Sequence, residues 1–130
     1  QPGLLADVSA SLAAFHAATV ELGVSANVTT FTQSDFGRSL TSNGNGSDHA
    51  WGGVQCVIGD AVRGRQFYGD YPLLQIGGAS DVGGGRLIPG ISSDQYVATL
   101  ARWFGVADAG LPAIAPSIGN FPVRDLGFMA

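Results

Sequence analysis

The chain contains no lysine, one cysteine and one glutamate, and charged residues make up only 12% of its 130 residues. Its six basic residues are all arginines, they are scattered along the chain, and the formal net charge is -4. Binding to nucleic acid requires a cluster of basic side chains that neutralises phosphates, so we expect no nucleic-acid partner. Without a lysine, the glycine-rich stretches also lack the residue that a P-loop needs for nucleotide binding.

The single cysteine, Cys56, cannot form an internal disulfide, and its position in the apolar run 54–58 predicts a buried thiol. No uninterrupted apolar run reaches the roughly 18 residues of a membrane span, so we expect no membrane span. No signal peptide opens the chain, and a helical pattern begins almost at residue 1, which is glutamine. The protein is therefore either cytosolic or exported by a signal that once preceded this segment; the start favours the second, in the periplasm or outside the cell.

The apolar content of 45% is enough for one hydrophobic core, and 130 residues form a single segment without a second domain. Apolar residues three and four apart predict an amphipathic helix over 4–22, and a β-branched run predicts a buried strand over 28–32. A second strand is expected over 54–58, followed by a short one that ends near Tyr68. Ser92 and Gln95 form a capping-box pattern that predicts a second helix, which ends at Gly105.

The remaining segments are predicted to be irregular. Residues 33–53 read as one long polar loop, 69–90 as a glycine-rich loop, and 106–130 as a tail that wraps over the surface. Helices alternating with strands favour an α/β fold, with two helices, a few strands and long glycine-rich loops. The aromatic residues Trp51, Phe67, Tyr71 and Trp103 are expected to pack in the core or at its edge.

The polar loop after the first strand carries the residues best suited to chemistry. Asp35 follows the strand end, where α/β sheets place their ligands, and Asp48 and His49 come thirteen residues later. A fold-back of the loop would gather three ligands suited to zinc or another divalent metal. Alternatively, Asp35 caps a turn while Asp48 and His49 bind loop backbone. Arg38 could bind an oxyanion or pair with one of the aspartates.

A family resemblance rests on two linked motifs in this loop, Ser-Asp-Phe-Gly-Arg at 34–38 and Asn-Gly-Asn-Gly-Ser-Asp-His at 43–49. With Val-Arg-Gly at 62–64 and the segments 96–105 and 121–128, they resemble the C-terminal part of a bacterial sulfatase-like family of unknown function. That family is often exported with a twin-arginine signal and is grouped with the alkaline phosphatase superfamily. The resemblance implies a partial alkaline-phosphatase-like layer.

The resemblance also implies roles for individual residues. Asp35 and His49 match metal ligands, with Asp48 beside them, and the metal would be a divalent cation such as zinc, manganese or calcium. Family chains are several times longer, and their nucleophile and further ligands lie upstream of anything in this sequence. We therefore expect a C-terminal portion of a larger α/β domain, an exported phosphatase- or sulfatase-like protein, inactive alone.

A non-enzymatic alternative fits the same composition. Low charge, abundant glycine and strand edges left open by a missing half favour self-association or pairing with another chain. The expected partners are then the missing N-terminal part or identical copies, and the protein would be a structural or self-assembling extracellular one.

Overall fold

The computed structural model describes residues 2–130 and contains both helices and antiparallel strands, which agrees with the coarse α/β prediction. The strands form two separate two-stranded sheets, one from 30–31 with 57–58 and one from 37–42 with 47–50. No wider sheet forms among residues 2–130. In chain order, the elements are α1 (Pro2–Glu21), β1 (Thr30–Phe31), β2 (Gly37–Ser42), β3 (Ser47–Ala50), β4 (Val57–Ile58), α2 (Ser93–Trp103) and α3 (Leu111–Ile114).

The two predicted strands exist, but both are shorter than expected. Thr30 pairs with Ile58 and Phe31 with Val57, in antiparallel register. The first strand was predicted to be buried, and this was wrong for Phe31, which is 46% exposed. A two-stranded ribbon has only one neighbour per strand, so its residues are at most half-buried: Thr30, Val57 and Ile58 are partly covered and Phe31 is exposed. The further strand predicted to end near Tyr68 is not formed.

The predicted polar loop 33–53 is instead a β-hairpin. Strands β2 and β3 pair antiparallel, with Arg38 opposite His49 and Ser42 opposite Ser47. The connection is made by residues 43–46, where Gly44 has a φ of 91°, a value that favours glycine. The hairpin escaped prediction because the covered positions of β2 carry Ser39 and Thr41, so the apolar alternation that identifies a half-buried strand is missing.

Helix α2 begins and ends as predicted. The Ser92 hydroxyl accepts a hydrogen bond from the Gln95 backbone N–H at 3.1 Å, and the Gln95 side chain accepts one from the Ser92 N–H at 3.0 Å. This reciprocal pair satisfies two helix N–H groups that have no partner within the helix. The local signal was sufficient because all its atoms lie within four residues of one another.

The core lies between α2 and the C-terminal segment, which corrects the prediction of a surface tail. Ala98 of α2 packs against Leu111, Ala115 and Ile118, which are all at most 2% exposed. The segment forms α3 and a 3-10 turn at Ile118–Asn120, with a proline in the first turn of α3, where its missing N–H costs nothing. The many prolines and glycines hid this regular spacing of apolar residues.

Helix α1 is formed where it was predicted, but not as an amphipathic helix with one buried apolar stripe, because most of its surface is apolar and uncovered. Leu4 is 70% exposed, Phe15 is 51% exposed, and Thr19 is the helix's one buried residue in the described part of the chain. By length and composition alone α1 could cross a membrane, a test that core helices and signal sequences also pass. The sequence showed no uninterrupted run because Asp7, Ser9 and His16 divide the apolar residues.

Candidate functional site

The hairpin places Arg38 and His49 on one face and Asp48 on the other. Arg38 and His49 are directly paired across the strands, and paired residues project from the same side of a sheet. Asp48 precedes His49 in β3, and successive strand side chains point to opposite faces. The Asp-His pair that the sequence offered as neighbouring ligands is therefore divided between two surfaces.

Phe36 lies against the face of the hairpin that carries Arg38 and His49. Its ring stacks on the His49 imidazole, with 3.7 Å between ring centroids and 11° between the ring planes. The Arg38 guanidinium carbon lies 5.0 Å from the centre of the same ring, a cation–π distance. Arg38 also donates a hydrogen bond from Nη1 to the Ser47 carbonyl at 2.8 Å. The sequence analysis missed Phe36, although it lies within the Ser-Asp-Phe-Gly-Arg motif.

The glycine of this motif allows the two ends of the hairpin to meet. A Cβ placed on Gly37 would lie 1.7 Å from the carbonyl oxygen of Gly52. No side chain fits at that distance, so only glycine is compatible with the approach. The motif thus combines a close backbone contact at Gly37 with outward side chains at Phe36 and Arg38.

Asp48 is occupied by structural contacts. One carboxylate oxygen accepts a hydrogen bond from the Asn43 amide at 2.9 Å, and the other accepts one from Arg86 Nη2 at 3.2 Å. Arg86 belongs to the glycine-rich loop, so Asp48 joins the hairpin turn to that loop. Both oxygens are used, which leaves Asp48 poorly placed to act as a metal ligand beside His49.

Asp35 and His49 keep their donor atoms free. The Asp35 residue is exposed, and its carboxylate makes no hydrogen bond or ion pair within residues 2–130. The His49 ring is covered on a face by Phe36, which leaves the nitrogens at its edge without a protein partner in that range. No group of three or more His, Cys, Asp or Glu side chains suited to a metal occurs there. Carboxylate and imidazole are donors that fit a divalent cation. The three predicted ligands do not converge, however, and the two that remain free, Asp35 and His49, are too few for a complete metal site.

A family model described as "Protein of unknown function (DUF1501)" matches residues 1–104. This chain belongs to the DUF1501 family. No curated protein and no solved structure matches it. The matched DUF1501 region contains α1, both ribbons, the glycine-rich loop and α2, whereas α3 and the core residues 111–118 lie beyond it. The hairpin and the residues Asp35, Arg38 and His49 lie within the matched region of this family, whose function is unknown.

The glycine-rich loop of this DUF1501 chain is organised by Asp81. Its carboxylate accepts backbone hydrogen bonds from Gly77 (2.8 Å), Gly83 (2.8 Å), Gly85 (3.1 Å) and Arg86 (3.0 Å). The bond from Gly77 is the largest of the effects that lower the pKa of Asp81, and desolvation opposes it. The loop then joins the hairpin, because Leu40 donates its N–H to the Gly85 carbonyl at 2.9 Å. The sequence pattern that could have predicted this arrangement is an aspartate shortly before three consecutive glycines, which is typical of a turn.

Several other residues lie outside the hairpin. His16 Nε2 is 3.4 Å from an oxygen of Asp60. The prediction of a buried Cys56 was wrong, since this residue is exposed. Trp51 and Phe67 were expected in the core or at its edge, but they are 68% and 77% exposed.

Tyr96 ties α2 to the β1–β4 ribbon and was not singled out from the sequence. Its hydroxyl donates to the Thr32 carbonyl at 3.0 Å, and its ring packs against Phe31 and Phe128. Burial raises the pKa of Tyr96 to about 12, because the charged phenolate is disfavoured away from water. The hairpin that follows Thr32 is thereby anchored to the best-packed part of the molecule.

Proposed function

We propose that this chain is the C-terminal portion of an exported, metal-dependent protein of the phosphatase or sulfatase type. In this proposal it supplies Asp35 and His49 to a divalent-metal site whose other ligands come from outside residues 2–130. The observation that carries the proposal is the pairing of Arg38 with His49 across the hairpin, with Asp35 two residues before β2. Within residues 2–130, neither the Asp35 carboxylate nor the His49 nitrogens have a hydrogen-bond partner. The resemblance to the sulfatase-like family within the alkaline phosphatase superfamily adds the reaction class.

The donor chemistry supports separate roles for the residues. Carboxylate oxygen and neutral imidazole are ligands for zinc or manganese, and the Arg38 guanidinium suits an oxyanion of a phosphate or sulfate ester. A bound divalent metal would neutralise charge on such an ester and lower the pKa of an attacking group. In this scheme Asp48 is a structural residue and neither binds nor orients the metal, because Asn43 and Arg86 hold both its oxygens.

Helix α1 supports the idea that the chain is part of a larger domain. A helix that is apolar around most of its circumference is stable in water only when other elements cover it. In residues 2–130 it is covered along the short stripe of Leu12, His16 and Thr19, while Leu4, Val8 and Phe15 are more than half exposed. Additional layers of an α/β domain would cover these side chains.

Metal binding to the 130-residue chain tests the proposed site. We expect weak zinc binding, measured by calorimetry, that is lost in Asp35→Asn and in His49→Ala. Two matched controls, Asp48→Asn and His16→Ala, should bind zinc as the unmodified chain does. Equal losses in the controls, or zinc binding unaffected by Asp35→Asn and His49→Ala, would contradict the assignment of ligands.

Assays of ester hydrolysis test the proposal that the isolated chain lacks part of the catalytic site. The isolated chain should release no nitrophenol from nitrophenyl phosphate or nitrophenyl sulfate above buffer when zinc or manganese is added, because the nucleophile and several ligands are missing. Metal-dependent turnover that disappears in His49→Ala would show that residues 1–130 are sufficient for catalysis and would refute this part of the proposal.

A second candidate function is self-assembly as a structural protein outside the cell. The exposed apolar side chains of α1 favour it, because identical copies could cover one another's helices. Light scattering on the metal-free chain separates the two functions. Defined oligomers that dissociate in Phe15→Glu, but not in Ala14→Glu, would support assembly through α1, and a monomer would oppose it.

A further inference from the structure

Phe36 contacts both side chains that the proposed function places at the ligand. The His49 imidazole lies flat against its ring, and the Arg38 guanidinium lies over the same ring. We propose that Phe36 is a positioning residue that fixes the orientation of His49 and Arg38 on the outer face of the hairpin. The chemical meaning of this inference rests on the proposed function, but the orientation itself is testable without any metal.

The stack restricts a side chain that would otherwise be mobile. The terminal torsion of histidine has a broad, two-fold profile, so an exposed histidine on a polar strand samples several orientations. Parallel contact with Phe36 at 3.7 Å is compatible with only a narrow range of them. An aromatic pair of this kind favours the stacked orientation by a factor of about two to ten. Because the contact uses the ring face, the nitrogens at the edge remain available for a cation.

Arg38 is held by two different contacts. Phe36 attracts its positive charge, and the Ser47 carbonyl accepts a hydrogen bond from Nη1 at 2.8 Å. A guanidinium has five N–H donors, so several remain for a ligand after this bond. Since Arg38 and His49 project from the same face, the arrangement suits an oxyanion, such as a phosphate or sulfate ester, beside a cation held by His49.

The test compares Phe36→Leu with Phe36→Tyr in the 130-residue chain by NMR of the histidine ring protons. In the unmodified chain we expect His49 ring protons shifted upfield by the Phe36 ring, with cross-peaks between the two rings, and His16 serves as the internal reference. Phe36→Leu should remove the upfield shift and Phe36→Tyr should keep it. The matched control Phe67→Leu removes an exposed aromatic side chain that does not contact the hairpin and should leave His49 unchanged.

Two results would overturn the inference. The first is the absence of Phe36–His49 cross-peaks in the unmodified chain, which does not depend on how any variant folds. The second is a His49 signal that keeps its upfield shift in Phe36→Leu while the Arg38 and Ser47 amide signals show an intact hairpin.

A second NMR experiment, with Co²⁺ added, distinguishes this inference from the proposed function. Paramagnetic Co²⁺ should broaden the His49 ring signals before those of His16, and Phe36→Leu should weaken this binding about tenfold, the size of effect seen when a supporting residue of a metal ligand is removed. If His49 and His16 broaden equally in the unmodified chain, the metal site is refuted while the ring-proton result stands. If Co²⁺ binds at His49 with the same affinity in Phe36→Leu, Phe36 does not position the ligand.

Discussion

Replacing Gly85 by alanine tests whether the glycine-rich loop is held against β2. Gly85 has a φ of 73°, and a Cβ there would lie 2.7 Å from the Leu40 Cβ and 2.9 Å from the Leu40 backbone nitrogen. The left-handed conformation costs a residue with a Cβ about 1–2 kcal/mol. The clash also displaces the Leu40 N–H from the Gly85 carbonyl, and loss of that hydrogen bond costs about 1 kcal/mol. We expect the free energy of unfolding to fall by about 2–3 kcal/mol, the sum of these effects.

Gly77→Ala is the matched control for this experiment. Gly77 has a φ of 75° in the same loop, but no atom lies within 4 Å of the position its Cβ would take. Its replacement should therefore cost only the conformational part, about 1–2 kcal/mol. Urea unfolding followed by circular dichroism measures both variants. Equal destabilisation by the two substitutions would refute the argument, because it would mean that the loop does not rest on β2.

Three further predictions concern the core and two titrating groups. Leu111→Ala should lower the free energy of unfolding by about 2–5 kcal/mol because it leaves a cavity, whereas Ile114→Ala, at a half-exposed position, should cost far less; urea unfolding compares them. The lowered pKa of Asp81 means that its contribution to stability is present above the ordinary aspartate pKa and is lost as the pH falls through the lower folded value. Asp81→Asn should therefore reduce the dependence of stability on pH in the acid range, and an unchanged acid unfolding curve would contradict this. Because the pKa of Tyr96 is raised to about 12, stability should decline as the pH rises from the ordinary tyrosine value of about 10 towards 12. Tyr96→Phe should remove that part of the decline in alkaline unfolding curves, whereas Tyr71→Phe, at an exposed residue, should not.

The parts of the fold predicted correctly are those whose signals are local. The capping box at Ser92 and Gln95 needs only a few consecutive residues, and it was confirmed with its helix. Helix α1 was also predicted, because its apolar spacing is a property of the segment itself. What covers α1 depends on residues distant in sequence, so its exposure could not be read from periodicity.

The hairpin and the C-terminal core show why other elements were missed. In β2 the covered positions carry Ser39 and Thr41, so no alternation of apolar and polar residues marks the strand. In the tail, Leu111, Ala115 and Ile118 recur at helical spacing, but the two prolines between them favoured an irregular reading. Tertiary packing determines both structures, and it outweighs the local preference.

The sequence offered candidate site residues but not their arrangement. Arg38 and His49 lie on the hairpin and Asp35 just before it, and the pairing of Arg38 with His49 depends on a strand register that the sequence did not reveal. The same strand places Asp48 on the face opposite to that of Arg38 and His49. The stacking of Phe36 on His49 follows from the same register and could not have been foreseen without it.

Two consecutive residues of β3 contact different parts of the molecule. Residue 48 links the hairpin turn to the neighbouring loop through Arg86, whereas residue 49 faces outward. A one-residue change in the length of the turn at 43–46 would shift β3 against β2 and break the contacts of both residues at once. A single insertion in this turn would therefore cost the chain the link to Arg86 and the stack on Phe36 together.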